Sequence, residues 1–364
     1  MYDSEQFRFG IELEFQLARS ADARPLHHHD LDFETLKAVI AETGAAVNDY
    51  MAVKYPGSSQ RSTYLEGYDL VDDDGTFTGL DVKGIEISTP IATDVTAQQS
   101  WLVDQYEDVQ KHLSNIGLFG AVYGAHATEQ EYRGTRGGRT LEGWAAAETA
   151  MTTWGIHVNV SFPDEVEARL DRDAVLASFE RFGPALVLLS ANTPVRGDGP
   201  WVHDGVRGVS ERSYRRSFTR RPLYFRDDQH HRKEVTCFDV TPRLDLIRAY
   251  SSVSAGLMLN PAPLEPQLES VTDHNMRAAA LHGYGATFVD RHFDAVPAGA
   301  LVDELLDRAE AGLAGLAIDA SDIALLRAMA RDRRVPADST LVTWQSTGSW
   351  PEFLDAHRSL REGE

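Results

Sequence analysis

Two glutamates spaced two apart in a strand-like stretch are the first residues here that could do chemistry. Glu12 and Glu14 lie within Phe7–Leu17, where Phe7, Phe9, Ile11, Leu13, Phe15 and Leu17 fall on every second position. That is the period of a strand with one buried face. Two residues of rise set the two carboxylates roughly 7 Å apart on the opposite face. Like charges held that close repel unless water or a cation screens them. One such strand fits the solvated outer face of an edge strand as well as a metal site. Two more stretches repeat the design. Val82–Pro90 sets Ile85 and Ile87 against Glu86 and Ser88, and Trp154–Phe162 sets Ile156, Val158, Val160 and Phe162 against His157, Asn159 and Ser161. Polar faces from separate strands would gather carboxylates and an imidazole around a divalent cation. Glutamate-rich oxygen sites suit Mg2+ or Mn2+ better than zinc. The expected metal ligands are Glu12, Glu14, Glu86 and His157.

Arginines form the second group. Arg207, Arg212, Arg215, Arg216, Arg220, Arg221 and Arg226 crowd the polar span 195–235, in a chain of net charge −21. A guanidinium is built for two-point recognition of phosphate. Acidic strands beside arginines imply a ligand that is both metal-chelating and anionic, and a nucleoside triphosphate such as ATP fits. The chain has no Walker A motif and no GxGxxG after a strand, so metals and arginines would hold the phosphates. Arg207, Arg215 and Asn159 are expected to contact nucleotide or substrate. Arg216 and Arg220 are expected to stabilise charge on a transferring phosphoryl group. Asp227 or Asp228 is a candidate proton acceptor.

The acidic balance argues against nucleic-acid binding and against anionic membranes. Apolar runs such as Pro184–Leu189 are too short to span a bilayer, and the first residues carry no leader pattern, so a cytoplasmic protein is expected. The lone Cys237 excludes an internal disulfide and a cysteine-cluster zinc site. His27, His28 and His29 read as an exposed loop, because three adjacent residues of a regular element cannot all face one ion. Asp72–Gly75 reads as a solvated turn.

Helical periodicity appears at Leu36–Ile40, at Leu102–Leu113 and at Leu244–Ser254, and again over 272–290, 299–314 and 321–332. A helical hairpin is expected over Val175–Leu189. Phe119–Ala127 and Glu234–Val240 read as strands, and 195–235 as a long loop. Strands followed by helices give an α+β class: a curved, mainly antiparallel sheet with helices packed on its back. One domain over 1–364 is expected, sheet-rich to about 245 and mostly helical from about 246.

Four motifs carry a family resemblance. Phe9-Gly10-Ile11-Glu12-Leu13-Glu14-Phe15 resembles the opening strand of the glutamate–cysteine ligase type 2 family of carboxylate–amine ligases. Gly155-Ile156-His157-Val158-Asn159-Val160 is similar to that family's Gly-x-His-Val-x-Val strand. Leu189-Ser190-Ala191-Asn192-Thr193-Pro194 is similar to its Leu-Ser-Ala-Asn-Ser-Pro turn. Asn275-x-Arg277-Ala278 resembles its Asn-x-x-Arg-Ala helix with shifted spacing. The resemblance implies the glutamine-synthetase/guanido-kinase-like catalytic fold, with ATP and Mg2+ bound on an antiparallel sheet. It implies an amide, γ-glutamyl or similar, made from a small acid and an amine through an acyl phosphate. It also brings in Arg243 as a catalytic residue, closing the segment Val235–Arg243 that stands for the family's Thr-x-Glu-x-Arg strand. There Cys237 occupies the place of the glutamate, which leaves open whether Asp239 replaces it. A phosphotransferase of the same superfamily and a non-catalytic, metabolite-binding relative are the competing readings. Acidic enzymes of this type are often homo-oligomers, and the assembly stays open.

Overall fold

The computed structural model describes residues 7–44, 62–93, 95–134, 141–219, 221–227, 229, 231–263, 265, 267–315 and 319–363. Its framework is one antiparallel sheet. The strands are β1 (Arg8–Arg19), β2 (Thr63–Val71), β3 (Phe77–Ser88), β4 (Leu118–Ala121), β5 (Gly155–Ser161), β6 (Leu223–Arg226) and β7 (Arg232–Asp239). Their order is β6-β7-β5-β1-β3-β2, with β4 pairing the far end of β1. The glutamate strand is therefore central, and the edge-strand alternative falls. Register brings the polar faces together: Glu12 lies opposite His157 on β5 and Ser88 on β3, Glu14 opposite Glu86, and Asn159 opposite Glu234.

The apolar residues of these strands share one core with the helices behind them. The helices include α1 (Phe33–Glu42), α2 (Val95–Ser114), α3 (Arg172–Ser190), α4 (Glu211–Arg216), α5 (Leu244–Leu259), α6 (Glu269–His282), α7 (Ala298–Ala314) and α8 (Ile323–Arg331). In that core Ile11, Leu13, Ile85, Ile156, Val158 and Val235 meet Leu186, Ile247 and Val253.

Several expectations change. The expected hairpin over 175–189 is the single helix α3, with Pro184 inside it and its apolar residues buried. Burial of that face outweighs the one hydrogen bond a helical proline forgoes. The expected loop 195–235 holds two short hairpins, α4 and β6. The strand expected over 119–127 ends at Ala121, and the helix expected over 272–290 ends at His282, where Gly283 takes φ 56. Asp72–Gly75 is the β2–β3 turn as expected: the Asp72 carboxylate accepts from Asp74 N and Thr76 N, and Gly75 has φ 78.

Candidate active site

The polar face of the sheet is as dry as the apolar one. Glu12, Glu14, Glu86, His157, Asn159 and Glu234 are each at most 6% exposed, which rules out a solvated face. Burying that many ionisable groups is costly unless each finds a partner. Two groups of metal-ligating side chains form on this face. Glu12, His157 and Glu234 offer ligand atoms within 4.8 Å of one another, and so do Glu14, Glu66 and Glu86.

In the first group His157 Nδ1 lies 2.9 Å from Glu12 Oε2 and 3.4 Å from Glu234 Oε1. Arg232 closes the group: its Nη1 donates to Glu12 Oε1 and to Asn159 Oδ1, both at 2.6 Å. Asn159 Nδ2 donates to Glu12 Oε1 at 3.3 Å, and Arg226 Nε donates to Glu234 Oε2 at 2.7 Å. In the second group Glu14 Oε2 accepts from Gly155 N at 2.8 Å and pairs with Lys83 Nζ at 3.0 Å. Tyr64 donates its hydroxyl to Glu86. Burial, then the charges of Glu86, Glu12 and Glu66, hold the Tyr64 hydroxyl well above its ordinary value, so it stays a donor. A small pocket opens beside the first group, lined by Arg8, Glu12, Ser88, Asn159, Gln229 and Arg232 among others.

The structure therefore brings Glu12, Glu14, Glu86, His157 and Asn159 together. It adds four residues the sequence reading missed: Glu66, Lys83, Arg232 and Glu234. Glu234 was findable, since it opens the fourth strand with Val235 on the opposite face. Lys83 was not, because simple alternation sends it to the back with Ile85. A register shift pairs Glu66 with Gly84 and Gly67 with Val82, so Lys83 is the extra residue of a bulge. Bulges re-aim side chains in this way.

The arginines are placed differently from the expectation. Arg207 is exposed on a short hairpin. Arg215 bonds Gln130 O and lies 3.5 Å from Glu211. Arg216 lies beside Arg212, Thr236 and Cys237. Arg243 pairs with Asp245 at the start of α5. Arg220 and Asp228 lie outside the described residues. Among the described residues, β6 and β7 carry the guanidinium groups of Arg226 and Arg232 to the acidic face, and Arg8 of β1 lines the pocket beside it. Asp227 pairs with Arg172 at 2.9 Å, which holds it below the usual carboxylate range and makes it a poor base.

Asp239 belongs to neither group of ligating atoms. It is buried and accepts from Ser210 Oγ at 2.6 Å, Ser213 Oγ at 2.7 Å and Asn192 N at 2.8 Å. Asn192, from the Leu-Ser-Ala-Asn-Thr-Pro turn, also donates to Val240 O at 3.0 Å. Burial pushes the Cys237 thiol up to about 12, so it is no nucleophile.

Solved structures share this architecture. The chain is similar to the glutamate–cysteine ligase of Francisella tularensis, whose structure is a complex with AMP. The TM-score is 0.62 at 12% identity, over 98% of this chain and 89% of that one. It is similar to a bifunctional glutathione synthetase from Pasteurella multocida, with TM-score 0.59 and 13% identity over 98% of this chain and 52% of that chain. It is also similar to the ligase PafA in its complex with the ubiquitin-like protein Pup, with TM-score 0.55 and 12% identity over 98% and 73%. The fold is thus the glutamine-synthetase-like ligase fold. The model of glutamate–cysteine ligase family 2 matches residues 8–201, more than half of the chain, and the chain belongs to that family. It is an ATP-dependent carbon–nitrogen ligase. No curated protein matches it in sequence. The family match ends before β6 and β7, so the segment Val235–Arg243 lies beyond it.

Proposed function

We propose that this ligase activates a small acid, glutamate or a glutamate-like acid, as an acyl phosphate and passes the acyl group to an amine. The observation that carries the reading is the buried acidic face: two three-residue groups of ligating atoms, each within 4.8 Å, edged by Arg226 and Arg232. The donor set fits hard divalent cations. It is carboxylate-rich with a single imidazole, the chemistry of Mg2+ or Mn2+ sites. Glu12, His157 and Glu234 would hold one ion, and Glu14, Glu66 and Glu86 another. Such ions supply charge neutralisation on a transferring phosphoryl group.

The side chains do the rest. A carboxylate resists an amine because its charge repels the nucleophile and oxide is a poor leaving group. Transfer of the γ-phosphoryl of ATP to the acid releases ADP and gives the acyl phosphate. The amine nitrogen then attacks the carbonyl carbon, loses a proton, and inorganic phosphate departs. Arg232, which lines the pocket with Nη1 on Glu12 and Asn159 and Nη2 on Gln229, would turn its guanidinium to the anionic groups of the bound ligand. Asn159 orients that arginine and offers its carboxamide to the acid. Lys83 balances charge beside Glu14.

The test is ADP release with Mg-ATP, glutamate or aspartate, and a panel of amines that includes cysteine. ADP and phosphate appearing only when acid and amine are both present, with an amide product, is the expected result. A stable phosphorylated product without an amine would mean a phosphotransferase. No Mg-ATP binding by calorimetry would mean a non-catalytic relative.

A further inference from the structure

We infer that His27, His28 and His29 form a further metal site, separate in chemistry from the carboxylate face, that takes a late first-row transition ion of the Zn2+ class. The three residues are not one exposed loop. A single turn of 3-10 helix over His28–Asp30, entered from His27 in extended backbone, folds the side chains toward each other. His27 is buried, His28 is nearly so and His29 is exposed. Each ring offers a nitrogen within 4.8 Å of the other two. The irregular turn achieves what a helix or strand could not.

The geometry suits a tetrahedral ion. His27 Nδ1 and His29 Nδ1 face each other at 3.3 Å. Two nitrogens at about 2.0–2.1 Å from a tetrahedral zinc stand roughly 3.3 Å apart. Two of the three outer nitrogens have carboxylates beside them, and the third, His27 Nε2, is buried with no hydrogen-bond partner among the described residues. His28 Nδ1 lies 3.5 Å from Asp81 Oδ2, and His29 Nε2 lies 3.6 Å from Asp30 Oδ2. A carboxylate behind a ligating histidine holds the proton on the outer nitrogen and leaves the inner one its lone pair. With His28 Nδ1 toward Asp81, the nitrogen left to ligate is Nε2, which is buried and has no hydrogen-bond partner among the described residues. An imidazole nitrogen buried without a partner is costly in a protein interior, and a bound cation would satisfy it. An all-imidazole donor set selects zinc, cobalt, nickel or copper over magnesium. The site would tie the turn after β1 to β3 through Asp81, to which Tyr132 also donates its hydroxyl. His126 packs 5.3 Å from the His27 ring and has its Nδ1 occupied by Glu129 N at 2.9 Å, so it buttresses the site without ligating.

The test uses the full chain stripped of metal and titrated with Co2+, whose visible absorption reports tetrahedral nitrogen coordination. Wild type and His157→Gln are both expected to bind one equivalent with that spectrum. His29→Gln, at an exposed position that should not disturb folding, is expected to lose at least about tenfold in affinity. His28→Gln should lose the spectrum, with circular dichroism confirming the fold. Equal affinity in wild type and His29→Gln would overturn the site. So would an absent tetrahedral spectrum in wild type, or one that disappears with His157→Gln alone. Loss of amide synthesis is not among the readouts, so failure here leaves the ligase reading intact.

Discussion

At the scale of single residues, the difference between Glu234 and Asp239 is one of partners. Both are buried carboxylates on β7, five positions apart. Glu234 faces His157, Arg226 and Arg232, groups of the acidic face. Asp239 is bound by three hydroxyls and a backbone amide that hold the chain around Asn192, with Arg212 Nη1 3.6 Å away. Replacing them should therefore have opposite signatures. Glu234→Gln keeps the shape and removes a charge, so turnover should fall by two or more orders of magnitude while the melting temperature stays within a few degrees. Asp239→Ala removes the acceptor of four buried donors and the carboxylate beside Arg212, and should destabilise by about 3 kcal/mol or more. Steady-state ADP release and thermal melts of both variants decide it. A Glu234→Gln enzyme that turns over normally would remove Glu234 from the site. Arg232→Lys keeps the charge and loses the fork, and should cost on the order of a hundredfold in kcat/KM. An unchanged kcat/KM would show that Arg232 only balances the buried charge of Glu12.

At the scale of elements, strand parity did most of the work. Alternation in three stretches placed Glu12, Glu14, Glu86, His157 and Asn159 on one face, because residues two apart must share a side. Parity fails where a bulge intervenes, which is why Lys83 could not be foreseen. The register also shifts between Val235 and Phe238 on β7. Arg232 was hidden among the arginines for a different reason: abundance in a polar span says nothing about which strand turns a side chain inward. β6, short and adjacent to a turn, carries too few residues to show a period. Helix-on-helix packing was likewise invisible, since it depends on which small residues face each other. Gly256 of α5 and Gly312 of α7 let those helices touch at backbone distance. A Cβ on Gly256 would lie 2.2 Å from Ala309 O, and one on Gly312 would lie 2.1 Å from Gly256 O. Alanine ordinarily favours a helix interior by about 1 kcal/mol over glycine. Here the clash is with backbone, which cannot swing aside, so overpacking wins. Gly256→Ala should destabilise by roughly 1–3 kcal/mol. Urea denaturation that shows equal or greater stability would mean that α5 and α7 can move apart freely.

At the scale of the whole molecule, residues 350–362 are tied back onto elements far away in sequence. Val122 N donates to His357 O at 2.9 Å, Tyr106 and Gln110 donate to Arg358 O at 3.1 and 2.8 Å, and Leu244 N donates to Arg361 O at 2.9 Å. Arg248 adds an ion pair to Glu362 at 2.9 Å. His357 sits at the centre of this seam, buried against Tyr123 and Phe353, with Nδ1 2.8 Å from Phe353 O. Burial, opposed by that hydrogen bond and reinforced by Arg361, brings His357 down to about 4. In the unfolded chain an imidazole titrates near 6.5. The folded state thus binds this proton less readily than the unfolded state. Its contribution to stability is complete above about pH 6.5 and is lost as pH falls toward about 4. Across that window the slope from one such group reaches about 1.4 kcal/mol per pH unit. His357→Gln keeps a polar side chain and cannot titrate. Wild type should therefore lose stability faster than His357→Gln between pH 6.5 and 4, and the two should run parallel above pH 7. Denaturation curves at a series of pH values test this directly. Parallel loss through the acid window would mean that the seam opens, and admits water to His357, before the rest of the molecule unfolds.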